Sequence, residues 1–273
     1  MTAPARPRPL ALGHLSLLDV PPPELARIAA SAGFAAIGLR LHPAFPGSPF
    51  HDLPAGSTAS RDMKACLAGD GVAVHDVEFV AIDAAFEPAS VERLLASAGE
   101  LGARTLSVCG DDPDPARLAA NFAALCDLAA RHGMGVDLEF MPWRRVATVT
   151  TAVGVVRAAG RANGGVLVDA LHLARSGGAP VDLAGVSDEL LATAQICDAP
   201  LEMPDSIDAV VAEARGGRLP PGDGALPLEA LIAALPARTI LSVEVPMARG
   251  GTPTERAALL FRKTTALLER CAR

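Results

Sequence analysis

The chain has 273 residues, 50% of them hydrophobic and 20% charged, which supplies a sizeable core and argues against disorder. Its formal charge of −7 offers no electrostatic footprint for nucleic acid or an anionic membrane surface, so a small molecule is the expected partner. Cys66, Cys109, Cys126, Cys197 and Cys271 lie far apart with no C-x-x-C pair, the pattern of reduced thiols and not of a disulfide framework.

The first residues, MTAPARPRPLALGHLSLLDVPPP, contain a short apolar run interrupted by His14 and Asp19, a poor match to a secretory signal. No run approaches the ~18 to 20 apolar residues of a membrane helix, and a cytoplasmic location is expected.

In chain order, Val-, Leu- and Ile-rich runs predict strands at 10–18, 35–41, 72–82, 105–110, 135–140, 166–171, 193–198 and 240–245. The segments between them have helical spacing. PPPELARIAASAG, 21–33, begins with prolines and stops at Gly33, the usual asymmetry of a helix. In 115–133, Leu118, Phe122, Leu125 and Ala129 share one face, and Gly133 ends the pattern.

Near-continuous apolar strands alternating with amphipathic helices predict a parallel sheet covered by helices. Eight strands, in a chain near the ~250 residues typical of the fold, predict an α/β protein built as one (β/α)8 TIM-barrel domain over 1–273. A doubly wound open sheet is the rival, but no strand is followed by G-x-G-x-x-G or a P-loop. Two long segments, 42–60 and 199–227, fall on the C-terminal face of such a barrel as candidate lids or substrate walls.

That face is also where ionisable residues collect. The fifth strand ends at Glu139, the sixth at Asp169 with His172 close behind, the seventh at Gln195 and Asp198, and the eighth at Glu244; the third carries His75 and Glu78. A single carboxylate at a strand end is usually a helix cap or an arginine's partner. Such residues on four consecutive strands are different, because crowding three carboxylates at one barrel mouth is costly unless a cation neutralises them. Glu, Asp, Gln and Glu offer an all-oxygen set suited to one divalent ion, Mn2+ or Mg2+ first, with Co2+ or Zn2+ tolerated.

The series LEF, VDALH, QICDAP and SVEVP, in this order on successive strands, resembles the xylose isomerase-like TIM-barrel superfamily, of sugar phosphate isomerase and epimerase type. The resemblance runs over almost the whole chain. It implies that Glu139, Asp169, Gln195 and Glu244 hold the metal and that His172 contacts substrate. Sugar epimerases of the superfamily usually have His where this chain has Gln195, whereas the related 3-dehydroshikimate dehydratases resemble it there.

Two enzyme readings follow from that resemblance. A metal-dependent isomerase or epimerase would act on a ketose, sugar phosphate or cyclic polyol ketone through an enediolate, with Glu139 and Glu244 exchanging the proton. A dehydratase of a cyclic hydroxy-ketone such as 3-dehydroshikimate would need a general acid, for which His172 and His75 are candidates. Arg215 and Arg218 are candidate binders of a substrate carboxylate or phosphate, Arg175 is a candidate to face the cavity, and Trp143 is a candidate ring-stacking or wall residue. An endonuclease of the same superfamily would want more than the six histidines present and a basic surface. A metal-binding barrel without turnover is a third reading, and a homodimer through exposed apolar helix faces stays open.

Overall fold

The protein is described by a computed structural model covering residues 8–247 and 251–272. Eight parallel strands pair in sequence order: β1 (Leu10–Leu12), β2 (Ala36–Arg40), β3 (Ala73–Ile82), β4 (Thr105–Gly110), β5 (Gly135–Glu139), β6 (Gly164–Asp169), β7 (Thr193–Ile196) and β8 (Ile240–Val243). β8 pairs with β1, Val243 opposite Leu12, which closes the sheet into a barrel and removes the open-sheet alternative. The helices are α1 (Pro22–Ala32), α2 (Thr58–Asp70), α3 (Glu92–Glu100), α4 (Pro115–Ala130), α5 (Val149–Ala159), α6 (Ala170–Arg175), α7 (Ile207–Gly216), α8 (Leu228–Ala234) and α9 (Pro253–Cys271). Among the described residues no helix is long and apolar enough to cross a membrane, and all five cysteines are free.

Local chemistry sets the element ends. Asp114 caps α4 by accepting from the amides of Ala116 and Arg117. Gly33 ends α1 at φ 106°, and a Cβ there would stand 2.7 Å from the Phe261 ring of α9. The apolar run 10–18 is a strand only as far as Leu12. Residues His14–Leu17 turn into a 3-10 helix, because the buried His14 ring bridges two backbone groups: Nδ1 accepts from the Arg40 amide (2.9 Å) and Nε2 donates to Val20 O (3.0 Å).

The seventh strand likewise stops at Ile196. Asp198 leaves the barrel to pair antiparallel with Leu219, and its carboxylate accepts from the amides of Ala199, Gly222 and Leu226. A side chain at Gly224 would collide with Asp198 and Ala199, so the GDG turn lies flat against this strand end. Segment 199–227 is therefore not one long loop. It contains α7, capped by Ser206, followed by a short strap.

The barrel interior departs from the stacked branched apolar layers common in this fold. Asp137 accepts hydroxyl hydrogen bonds from Thr105 (3.1 Å) and Thr193 (2.7 Å), and Asp76 accepts one from Ser107 (3.5 Å). A Cβ at Gly165 would collide with Asp137, so the glycine makes room for the carboxylate. The apolar core lies outside, where strands meet helices, with Phe122, Leu95 and Leu125 fully buried there.

Candidate metal centre

A cavity of about 230 Å³ opens at the C-terminal mouth of the barrel. Its floor is built by strand ends: Glu139 from β5, His172 from the first turn after β6, Gln195 from β7 and Glu244 just past β8. One ligand atom each from Glu139, Asp169 and His172 lie within 4.8 Å of one another. His172 Nε2 is 3.5 Å from Glu139 Oε1, and its ring meets Trp143 edge-on at 5.0 Å. Asp169 is shared three ways: Oδ1 caps α6 through the His172 amide (2.9 Å), Oδ2 accepts from Arg218 (2.6 Å), and the carboxylate also belongs to the ligand cluster.

Arg218 reaches this floor because the Asp198 strap delivers it. Its Nε donates to Ala214 O (2.9 Å), and its NH1 stands 2.6 Å from Asp169 and 3.2 Å from Glu244. A second buried pair faces the cavity, Arg40 of β2 with Glu78 of β3 at 2.5 Å.

The electrostatics call for a cation. Four buried carboxylates (Glu78, Glu139, Asp169, Glu244) face two buried guanidiniums (Arg40, Arg218), a formal excess of two negative charges when all are ionised. Burial, with repulsion from Asp169 and Glu244, pushes Glu139 well above the usual carboxylate range. Burial and the charge of Glu78 do the same to Glu244. Burial also opposes ionisation of Asp169, but Arg218 and His172 outweigh it and hold that group below its ordinary value. Burial pushes His172 down to about 4, leaving a neutral imidazole, the form that binds metals and accepts protons. Among the described residues, Gln195 Oε1 and His172 Nδ1 are buried without a hydrogen-bond partner. An orphaned amide oxygen beside a dianionic cage fits a divalent ion.

Other residues singled out in the sequence go elsewhere. Arg175 turns away from the cavity, its guanidinium held by Glu213 (2.7 and 2.8 Å) and Pro200 O (2.8 Å), so it docks α7 onto the barrel. His75 does not line the cavity either; its Nε2 meets Thr193 Oγ1 at 3.2 Å in the polar layer around Asp137. Trp143 and Arg215 do line it, and Arg215 lies over the Phe45 ring at 4.6 Å, across the mouth. Arg40 and Arg144 are cavity residues that the sequence reading passed over. Arg40 sits at a strand's C-terminal end, the same signal that picked out Glu139, while Arg144 follows β5 and is held by Asp111 at 2.8 Å.

Residues 26–265 match the xylose isomerase-like TIM barrel family, and the chain belongs to it. A 3-dehydroshikimate dehydratase of Pseudomonas aeruginosa is 33% identical over 155 residues, covering 54% of this chain and 24% of that protein. The chain thus matches only about a quarter of that relative's length. A solved xylose isomerase-like TIM barrel/4-hydroxyphenylpyruvate dioxygenase fusion protein superposes with a TM-score of 0.82 at 21% identity, over 97% of this chain and 43% of that one. The IOLI protein, solved with a bound zinc atom, gives 0.77 at 17% identity over 96% and 98% of the two chains. At these identities the solved structures establish the shared barrel.

Proposed function

We infer that this chain is a divalent-metal-dependent dehydratase of a small cyclic hydroxy-ketone bearing a carboxylate, a compound of 3-dehydroshikimate type. The observation that carries this reading is the Glu139, Asp169 and His172 cluster beneath a largely apolar wall of Phe45, Phe79, Met141 and Trp143, a shape suited to a flat ring. The matched stretch of the Pseudomonas aeruginosa dehydratase supports it.

Glu139, Asp169, Gln195 and Glu244 would hold the ion, with His172 beside them. When bound, the ion supplies Lewis-acid polarisation of the substrate carbonyl and its neighbouring hydroxyl. Glu139 accepts the proton from the carbon next to the carbonyl. His172, whose Nε2 stands 3.5 Å from Glu139 Oε1, carries that proton to the departing β-hydroxyl, which leaves as water. Trp143 fixes the imidazole edge-on and helps keep solvent out. Arg215, for which no carboxylate lies within salt-bridge distance among the described residues, meets the substrate carboxylate at the rim.

A second reading, isomerase or epimerase, is favoured by one observation: Glu244 faces the same cavity from the β8 end while Glu139 faces it from β5, a pair able to remove and return a proton. The test is a substrate panel on metal-loaded protein. Dehydration of 3-dehydroshikimate gives a conjugated product followed by ultraviolet absorbance. Solvent deuterium uptake into ketohexoses or inososes without water loss would move the assignment to the second reading. Bound metal with no turnover of any compound would leave a metal-binding barrel.

A further inference from the structure

The proposed reaction leaves one part of the cavity wall unused, the Arg40 and Glu78 pair. These residues are register partners on β2 and β3, 5% and 2% exposed, with Arg40 NH2 2.5 Å from Glu78 Oε2. The guanidinium also lies 5.5 Å from the Phe79 ring, and the Arg40 amide is tied to His14, so the pair is held in place from both sides.

A buried ion pair is a poor source of stability, because apolar residues of similar volume usually serve as well or better. A pair kept for structure would at least satisfy its remaining polar atoms. This one does not: among the described residues Arg40 Nε and Glu78 Oε1 are both buried with no partner, although both residues line the cavity. Each side therefore retains unused capacity, a donor on the arginine and an acceptor on the glutamate. Gly38 leaves room on the neighbouring strand for two carboxylate oxygens, since a Cβ there would come within 2.8 Å of Asp76 Oδ1 and 3.2 Å of Glu78 Oε1.

The two charges cancel, so an anionic group would meet Glu78 as closely as Arg40. A neutral edge carrying one donor and one acceptor matches both atoms: its hydroxyl donates to Glu78 Oε1 and its adjacent oxygen accepts from Arg40 Nε. We propose that Arg40 and Glu78 form a subsite for a vicinal-diol or hydroxy-ketone edge of the substrate. The substrate then carries at least one hydroxyl beyond the oxygens met by the Glu139, Asp169 and His172 cluster, and its carboxylate lies elsewhere, toward Arg215. The subsite is a specificity determinant that leaves the proton-moving groups untouched, and its placement within a carboxylated ring rests on the dehydratase reading.

The test is a ligand-by-protein cycle read by calorimetric binding and independent of turnover. Shikimate, which lacks the ketone, and its 3-, 4- and 5-deoxy analogues are titrated into the metal-loaded wild type and into the double variant Arg40→Met, Glu78→Met. A parallel series uses D-fructose and its monodeoxy analogues. Loss of one hydroxyl should weaken wild-type binding about tenfold to a hundredfold, and the same loss should change nothing in the double variant, whose melting temperature stays within a few degrees. The variant Arg40→Gln, Glu78→Gln is measured alongside, as the more conservative fold control. Coupling in the fructose series alone would keep the subsite and remove the carboxylated ring. Equal losses in wild type and variants, or no binding in either series, would overturn the subsite.

Discussion

Two buried carboxylate layers lie one above the other in this barrel, and they differ in what completes them. In the lower layer Asp137 takes hydroxyl hydrogen bonds from Thr105 and Thr193, whereas Asp76 takes one from Ser107 on Oδ2 and its Oδ1 has no partner among the described residues. In the upper layer, two residues further along β5, no side-chain donor other than His172 Nε2 comes near Glu139 among the described residues, and the orphaned Gln195 oxygen shares its cavity. Burial raises Asp137 as it raises Glu139, yet two hydroxyls pull Asp137 back while like charges push Glu139 further. A carboxylate inside a barrel is therefore not in itself a sign of chemistry. One that opens onto a cavity, among like charges and beside an orphaned amide oxygen, is.

That contrast can be broken at its strongest point first. Asp169→Ala strips Arg218 of its closest partner and removes a cluster ligand. It should cost about 3–5 kcal/mol of stability and abolish metal retention, as read by urea denaturation and elemental analysis. Metal content equal to wild type would remove Asp169 from the centre.

Two buried histidines, one of them in the lower layer, should respond to acid. Burial pushes both His75 and His14 down to about 4, so between about pH 6.5 and 4 the unfolded chain binds protons that the folded chain refuses. Stability should fall as pH drops through that window and level off below it. His75→Gln should flatten the decline by up to about 3 kcal/mol, measured as the difference in unfolding free energy between pH 7 and pH 4.

Asp137→Asn tests the layers against each other. It should cost about 1–3 kcal/mol, the price of disturbing a buried acceptor, while metal content stays at the wild-type level. Loss of metal in this variant would mean that the layers are one unit. Smallest in stability is Arg215→Ala, expected within about 0.5 kcal/mol of wild type. Its effect should be roughly a tenfold rise in KM for a carboxylated substrate with kcat unchanged.

The strands and the carboxylates at their ends were legible because parallel strands buried on both faces are written as apolar runs, and a charged residue closing such a run stands out. Arg175 was not, since its partner Glu213 lies in a helix 38 residues further on. His75 was not legible either: it sits where the β2–β3 register slips by one residue, and that irregularity lets both it and Glu78 face the barrel interior at different heights. Glu78 lines the cavity and His75 does not. The dual use of Asp169 was the least legible feature: helix cap and cluster member are usually weighed as alternatives, and here one side chain is both.

Arg215 and Arg218 are separated only by Gly216 and Gly217, yet they live under different mechanical rules. Arg218 is moored by the strap that Asp198 fastens to the end of β7, whereas Arg215 rides the last turn of α7 and touches Phe45 across open space. Both arginines nevertheless answer to one helix, because the Ala214 carbonyl of α7 accepts from Arg218 Nε and Glu213 of α7 is clamped by Arg175, so a shift of α7 reaches the inner arginine as well as the outer one. The same short stretch thus links the rim of the mouth to the charges on its floor.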